Sequence, residues 1–459
     1  MRVAEIRALL RGAGDRDSAR GRTVRLMSAT AMSQLIAIAV SPLLTRLLGP
    51  AAFGVFGVYL ALLGSLGSAT SWRLGMAVSL PESDDDAAAL VVAGVLASIG
   101  TSLLAGFAVW LFGDRLARTL LDGPGTVSTL WLVPTGMLGV GLTDVVSGWG
   151  LRHRAFDALV RIRVSRSVVT SGWQVIAAVA ARTSAIGLAM GDVVGRVVSS
   201  AELARVIVRT ERARGTRVTW ARVREIVSRY RAFPLISAPS TVLNAAGAWA
   251  PVFFLTYWWG PVASGLYVIG QRVIGVPIGL LGDSAGQVYI SELAARARGP
   301  GETMPSLFAK TAKGLLLVGA LPALAMLLLA PTAFHLVFGR EWGDAGVMVQ
   351  WQALALTCQL VAIPLAHTLL VLRFQRRQLA WDVLRFLLTA AGFLLAHRAG
   401  MSAIGAIAVF SAVTAATYLA LIVLSWYAVL ERAAEHAAQR TGRAPSVLGG
   451  DTPGPSPLT

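Results

Sequence analysis

Cysteine occurs once, as Cys358. A disulfide framework is therefore excluded. Charge is also scarce. Only 14% of the 459 residues are charged, whereas a soluble domain carries about 25%. Hydrophobic residues make up 55%, and the mean hydropathy is +0.65. This balance argues against a soluble enzyme, a disordered chain or a fibre. Lysine is nearly absent: Lys310 and Lys313 stand beside 39 arginines. The five histidines, His153, His335, His367, His397 and His436, are dispersed. No HExxH, CxxC, phosphate-binding glycine loop or Walker-type lysine occurs. Catalysis, ATP hydrolysis and a metal site therefore have no sequence signal, and no cofactor is expected. No cleavable signal pattern follows the polar N-terminus.

What the chain has is long apolar runs. A bilayer-spanning helix needs about 20 apolar residues. Twelve spans are expected, at roughly 24–45, 54–79, 87–112, 127–149, 164–181, 184–204, 234–257, 262–290, 314–338, 347–372, 379–397 and 401–427. The fold expected is all-α and polytopic, with two six-helix lobes around a central cavity. The weakest spans, 164–181, 184–204 and 379–397, carry charge.

The net charge of +17 does not point to nucleic acid, because the basic residues lie between the apolar runs. They read as topology signals and as contacts with anionic lipids. Thirty of the 41 lie on the side of the termini, six on the opposite side and five inside spans. Both termini should be cytoplasmic by the positive-inside rule. The acidic loop Glu82 to Asp86 falls on the basic side and is the exception.

The domain plan expected is an N-terminal arm at 1–23, a lobe at 24–204, a cytoplasmic amphipathic linker at 205–233, a lobe at 234–427 and a tail at 428–459. In the linker, Val218, Trp220, Val223, Ile226, Val227 and Tyr230 have near-helical spacing among arginines. It reads as a helix on the inner leaflet. Val3, Ile6 and Leu10 form a shorter stripe of the same type. The Pro-, Gly- and Ser-rich tail after Arg443 reads as disordered.

An offset of 211 residues aligns the halves. Gly49, Pro50, Ala52 and Gly54 meet Gly260, Pro261, Ala263 and Gly265. Each motif marks an external turn between the first two helices of its half. An even number of spans per half relates the repeats by an axis along the membrane normal.

Charges inside spans should face a cavity, form pairs or reach the headgroups. Arg73 ends span 2, where snorkelling is the alternative. Arg272 is deeper and reads as a cavity residue, with Asp283 further along span 8. Asp192 and Arg196 are four apart and can pair on one helix face. Asp144, Arg166 and Arg385 are further candidates. Gln34, Asn244 and Gln271 could line the cleft, or serve helix packing. An arginine fork matches the oxygens of a diphosphate, so Arg73, Arg272 and Arg196 are the candidate substrate-binding arginines. Asp144, Asp192 and Asp283 are candidates for ion coupling or structural pairs.

Three stretches carry a family likeness: SPLLTRLLGPAAFGVFGVYLALLGSLGSATSWRLGMAVSLPE at 41–82, FPLISAPSTVLNAAGAWAPVFFLTYWWGPVASGLYVIGQRVIGVPIGLLGDSAGQVYISELA at 233–294, and FGREWGDAGVMVQWQALALTCQLVAIPLAHTLLVLRFQRRQLAWDV at 338–383. With these the chain resembles the polysaccharide, or O-antigen, flippases of the multidrug, oligosaccharidyl-lipid and polysaccharide exporter superfamily. The resemblance implies a transporter and not an enzyme. It implies translocation of a polyprenyl-diphosphate-linked oligosaccharide to the outer leaflet of a bacterial inner membrane. It also implies coupling to a Na+ or H+ gradient, and a polysaccharide polymerase and chain-length regulator as partners. Arg73 matches the family's arginine near the end of the second helix. Leu74 and Gly75 stand where many members have an aromatic and a glutamate. Arg272 matches the arginine of an A/G-Q-R stretch. A multidrug exporter of the same superfamily is the alternative. A glycan polymerase or ligase fits less well, because the longest external loop, 113–126, is only about 14 residues long.

Overall fold

The computed structural model describes residues 19–120, 127–181, 185–214, 218–297 and 304–441. The stripe at 3–10, the tail after Arg443 and part of the 113–126 loop lie outside the described residues. The chain is helical throughout, with no strand among the described residues. In order the helices are α1 Ala19–Leu47, α2 Pro50–Gly67, α3 Leu74–Ala77, α4 Asp84–Leu120, α5 Leu132–Arg152, α6 Phe156–Ala181 and α7 Ala185–Arg214. They continue with α8 Trp220–Arg229, α9 Ala238–Gly270, α10 Val276–Ala297, α11 Met304–Phe338, α12 Gly343–Val371, α13 Gln375–Arg398 and α14 Ala403–Thr441.

Nine stretches of the described residues are long and apolar enough to cross a membrane. One of them, Phe233–Ala297, has 65 residues. At 1.5 Å per residue it would reach roughly 98 Å, enough for two crossings. It is broken at Gly260, whose φ of 82° is open to glycine but strained for other residues. Helices α6 and α7 have the length to span but carry several charges. They bring the crossings to twelve. Within α6 and α7 the charged Arg166, Asp192 and Arg196 pair with one another.

The chain forms two compact units. The first comprises residues 1–280, 324–353 and 386–413, and the second comprises 281–323, 354–385 and 414–459. Neither coincides with the half 24–204 or the half 234–427.

In the first unit the repeated motifs meet each other. A Cβ added at Gly54 would run into the backbone of Pro261, and one at Gly265 into the backbone of Pro50. The contact is reciprocal, as a local twofold relation requires. Glycine at these two positions lets α2 and α9 approach backbone to backbone.

The expected second span, 54–79, is not one helix. Helix α2 stops at Gly67, and turns lead to Trp72 and Arg73 at φ 54° and 59°. Two successive non-glycine residues in the left-handed region each cost about 1–3 kcal/mol. The segment is held in place by its packing. Leu74, Ala77 and Val78 are buried with Val223 and Ile226 of α8. The apolar face of the linker helix is thus covered by protein, while Trp220 remains 71% exposed. Residues 205–214 of the expected linker continue α7, and Trp220–Arg229 is its separate helix.

The same contact accounts for the acidic loop. Arg222 bonds Asp85 at 2.9 Å and Asp86 at 2.8 Å. Arg152 bonds Asp84 at 2.8 Å. The acids are neutralised by arginines assigned to the cytoplasmic side. The hydrogen bond to Asp86 also holds the Arg222 guanidinium above its usual range. Asp84, Asp85 and Asp86 further suit the positive end of α4, in its first turn.

Candidate functional site

The first unit gathers a charged cluster from α2, α6 and α7. Asp192 and Arg196 are one turn apart, and Arg196 Nε donates to Asp192 Oδ2 at 2.6 Å. Arg166 of α6 donates to the other oxygen at 3.2 Å. Tyr59 of α2 donates its hydroxyl to Oδ2 at 3.0 Å. One carboxylate therefore accepts three hydrogen bonds, two of them charge-assisted. Asp192 is almost wholly buried, and so is Arg196, whereas Arg166 is 30% exposed.

Helix α5 makes room for this cluster with small residues. A Cβ at Gly136 would lie 2.6 Å from the Tyr59 hydroxyl. One at Gly139 would lie 2.6 Å from Arg196 Cβ. Bulkier residues at either position would push the side chains off Asp192. On α7, Gly191 and Gly195 let α6 approach in the same way, against Gln174 and Thr170.

Arg272 sits at the π-helical turn Gln271–Gly275 between α9 and α10. Such turns are often found at functional sites. Its side chain is partly buried. Two arginines, Arg166 and Arg196, share one carboxylate, a surplus of one positive charge. Among the described residues Arg272 makes no hydrogen bond or ion pair. Its neighbour Gln271 donates to Gln352 at 2.6 Å.

The other expected residues fall elsewhere. Arg73 contacts the sulfur of Met76 and leaves a buried Nε without a partner. Asp144 accepts from Ser71 and not from an arginine within ion-pair distance among the described residues. Its carboxylate fills the space that a Cβ at Gly75 would need, with Oδ2 2.5 Å away. Gln34 is partly buried and Asn244 is exposed, each without a hydrogen bond among the described residues. Asp283 belongs to the second unit and is exposed, with no ion pair among the described residues. Ser33 and Thr241 bond carbonyls one turn back in their own helices, at 2.8 Å each.

Sequence reading placed Asp192 with Arg196 from their spacing. It missed Tyr59, because nothing in an apolar run of α2 marks one tyrosine as the partner of an aspartate 133 residues away. Arg166 had signalled only through its own position in a span. No group of three or more His, Cys, Asp and Glu able to hold a metal is found among the described residues.

Solved structures share this fold. A multidrug resistance MATE family transporter of the MOP superfamily, in an inward-facing conformation, aligns with a TM-score of 0.63 at 13% identity, over 91% of this chain and 96% of that one. The lipid II flippase MurJ, in an inward closed conformation, aligns with a TM-score of 0.68 at 9% identity, over 92% and 94%. A MOP superfamily transporter from Pyrococcus furiosus, described as having a binding pocket of reverse polarity, aligns with a TM-score of 0.54 at 13% identity, over 91% and 96%. At such identities the likeness is one of fold. No curated protein matches the sequence. A family model described as "Polysaccharide biosynthesis protein" matches residues 43–346, which is most of the chain. This multi-pass membrane protein, with the fold of MOP superfamily transporters, therefore belongs to the polysaccharide biosynthesis protein family.

Proposed function

We propose that the protein is a flippase for a polyprenyl-diphosphate-linked oligosaccharide. It carries the headgroup from the cytoplasmic to the outer leaflet by alternating access, for cell-surface polysaccharide synthesis. The observation that carries this reading is guanidinium charge in excess of carboxylate: Arg166 and Arg196 share the single carboxylate of Asp192, and Arg272 has no hydrogen bond or ion pair among the described residues. An uncompensated charge in a bilayer is costly. A diphosphate offers the two acceptor groups that would offset it. Arg196 and Arg73, with Gln271, Gln34 and Asn244 as polar contacts, complete the proposed substrate set. The family match supports a role in glycan synthesis, and the MurJ-like fold supports a lipid cargo.

In this reading the protein lies in a bacterial inner membrane with both termini cytoplasmic. The halves 24–204 and 234–427 act as the moving bodies, with 205–233 linking them. A Na+ or H+ gradient supplies the energy, with Asp144, Asp192 and Asp283 as the carboxylates in spans. Anionic lipids, a polymerase and a chain-length regulator are its partners.

The test is leaflet exchange of a labelled lipid-diphosphate glycan in proteoliposomes. Arg272→Ala should slow exchange about tenfold to a hundredfold, the effect of losing charge-assisted hydrogen bonds. Its helical content should be unchanged. Exchange at the wild-type rate would reject the headgroup role of Arg272. The MATE-like fold favours a second reading, export of small cationic drugs. Gradient-driven efflux of such a cation, with no exchange of the lipid, would replace the first reading with the second.

A further inference from the structure

The two halves of the chain meet at a second pair of turns. The first unit holds the half 24–204 together with residues 324–353 and 386–413. These two pieces of the other half surround the turn between α11 and α12 and the turn between α13 and α14. With twelve crossings, both turns fall on the side opposite the termini, as do Gly49 and Gly260.

At the α11–α12 turn, side chains of each half cap a helix end of the other. The chain leaves α11 at Gly339, whose φ of 113° is open to glycine. One 3-10 turn, Arg340–Trp342, follows and delivers Trp342 to the first half. Its indole N–H donates to the Thr45 carbonyl at 3.0 Å. Its ring meets Phe53 of α2 edge to face, with centroids 5.1 Å apart, and both rings are buried. In return, Arg46 donates to the carbonyls of Leu336 and Val337 in long bonds of 3.4 and 3.5 Å. Thr45 lies in the last turn of α1, and Leu336 and Val337 lie in the last turn of α11. Carbonyls there have no partner in their own helix.

Trp342 is carried on a stiff arm. A Cβ at Gly346 would strike the backbone of Ala330 and Pro331, so α11 and α12 touch backbone to backbone. The arm and its tryptophan therefore move as one piece. The bonds made at its tip are of a kind that water replaces. Arg340 and Glu341, beside Trp342, are exposed, as charged side chains at the membrane surface are. A helix-end carbonyl at that level is satisfied by water once its protein partner leaves. The net loss is small, because one hydrogen bond is exchanged for another. The buried charges around Asp192 have no such substitute. In alternating access the path opens to one side at a time. Opening on the side opposite the termini parts the first half from the α11–α12 arm, and so withdraws Trp342 from Thr45 and Phe53. A permanent seam would share this geometry; the difference is whether transport requires the contact to break.

We propose that Trp342 is the latch of the gate on the side opposite the termini, with Arg46 as its counterpart on the first half. The gate is shut while the two cap each other's helix ends, and it opens when both let go. This inference rests on the alternating-access part of the reading above, and not on the cargo.

Two measurements on the full-length protein test it. Both use a Cys358→Ser background, which removes the only native thiol. The first clamps the gate and leaves Trp342 in place. A Cβ at Gly49 would lie 3.7 Å from the Glu341 carboxylate, so Gly49→Cys with Glu341→Cys puts two thiols within reach of a short bis-methanethiosulfonate. Bridging should stop leaflet exchange of the labelled lipid-diphosphate glycan in proteoliposomes, and reduction should restore it. Exchange by the bridged protein at the unbridged rate overturns the latch. The second measurement needs no substrate. Thr45→Cys is labelled in lipid nanodiscs with a membrane-impermeant maleimide. Labelling should be slow with Trp342 present. It should be about twofold to tenfold faster in Trp342→Phe, which keeps a ring against Phe53 and loses the donor. Trp342→Ala should be faster still. No labelling with Trp342 present, or equal rates in the three proteins, overturns the latch. Absence of exchange in the wild-type protein is a different result: it defeats the flippase reading, and the labelling rates then decide the gate alone.

Discussion

The Asp192 cluster and the surroundings of Arg385 handle the same problem in opposite ways. Both place arginines within membrane helices. Around Asp192, two guanidinium groups and a tyrosine hydroxyl converge on one carboxylate at 2.6–3.2 Å. Arg385, on α13, has no ion pair among the described residues and lies instead beside two aromatic rings, 5.1 Å from the centre of Trp381 and 6.0 Å from that of Tyr418. A neutralised arginine is held by the protein and holds helices together. An arginine without a counter-charge is available to a ligand. By this criterion Arg196 and Arg166 are paired within the protein, while Arg272 and Arg385 have no counter-charge among the described residues.

The comparison breaks most visibly at Asp192. Asp192→Ala leaves two arginines without their counter-charge, and breaking a buried pair costs about 3–5 kcal/mol. The melting temperature in neutral detergent should fall more than for any other substitution in either region. A fall no larger than that of Arg385→Gln would mean that the cluster is not what holds α2, α6 and α7. Tyr59→Phe comes next. It removes one of three donors from a buried carboxylate, a loss of about 1–3 kcal/mol. Denaturant titration should show a lowered midpoint with an unchanged slope. Arg272→Ala should change stability least, by less than about 1 kcal/mol, because it breaks no hydrogen bond or ion pair with a described residue. A large loss in that variant would place Arg272 among the structural arginines and remove it from the proposed headgroup site.

Much of this was readable before the fold was known. Hydrophobic run length separates a span from a soluble helix with little ambiguity, since an apolar stretch of about 20 residues has few other places to go. Spacing alone paired Asp192 with Arg196, because residues four apart share a helix face. The offset of 211 marked Gly54 and Gly265 as equivalent. Their mutual contact was not readable, because a repeat states equivalence and not adjacency. The break at Trp72 and Arg73 was hidden too. Left-handed backbone at two non-glycine residues carries no local sequence signal and is held by packing from α8. The reach of Tyr59 to Asp192 and the approach of Tyr418 to Arg385 likewise depend on which helices are neighbours.

The sequence by itself determined that this chain crosses a membrane many times, that its arginines are distributed asymmetrically, and that it carries two related halves. These follow from solvation and charge, which act on each segment separately. Only the tertiary structure decided which buried arginines are neutralised and which remain open. Where the partner lies on another helix, as Arg166 and Tyr59 do for Asp192, the outcome depends on distances of 3.0–3.2 Å between side chains far apart in the chain, which no local pattern encodes.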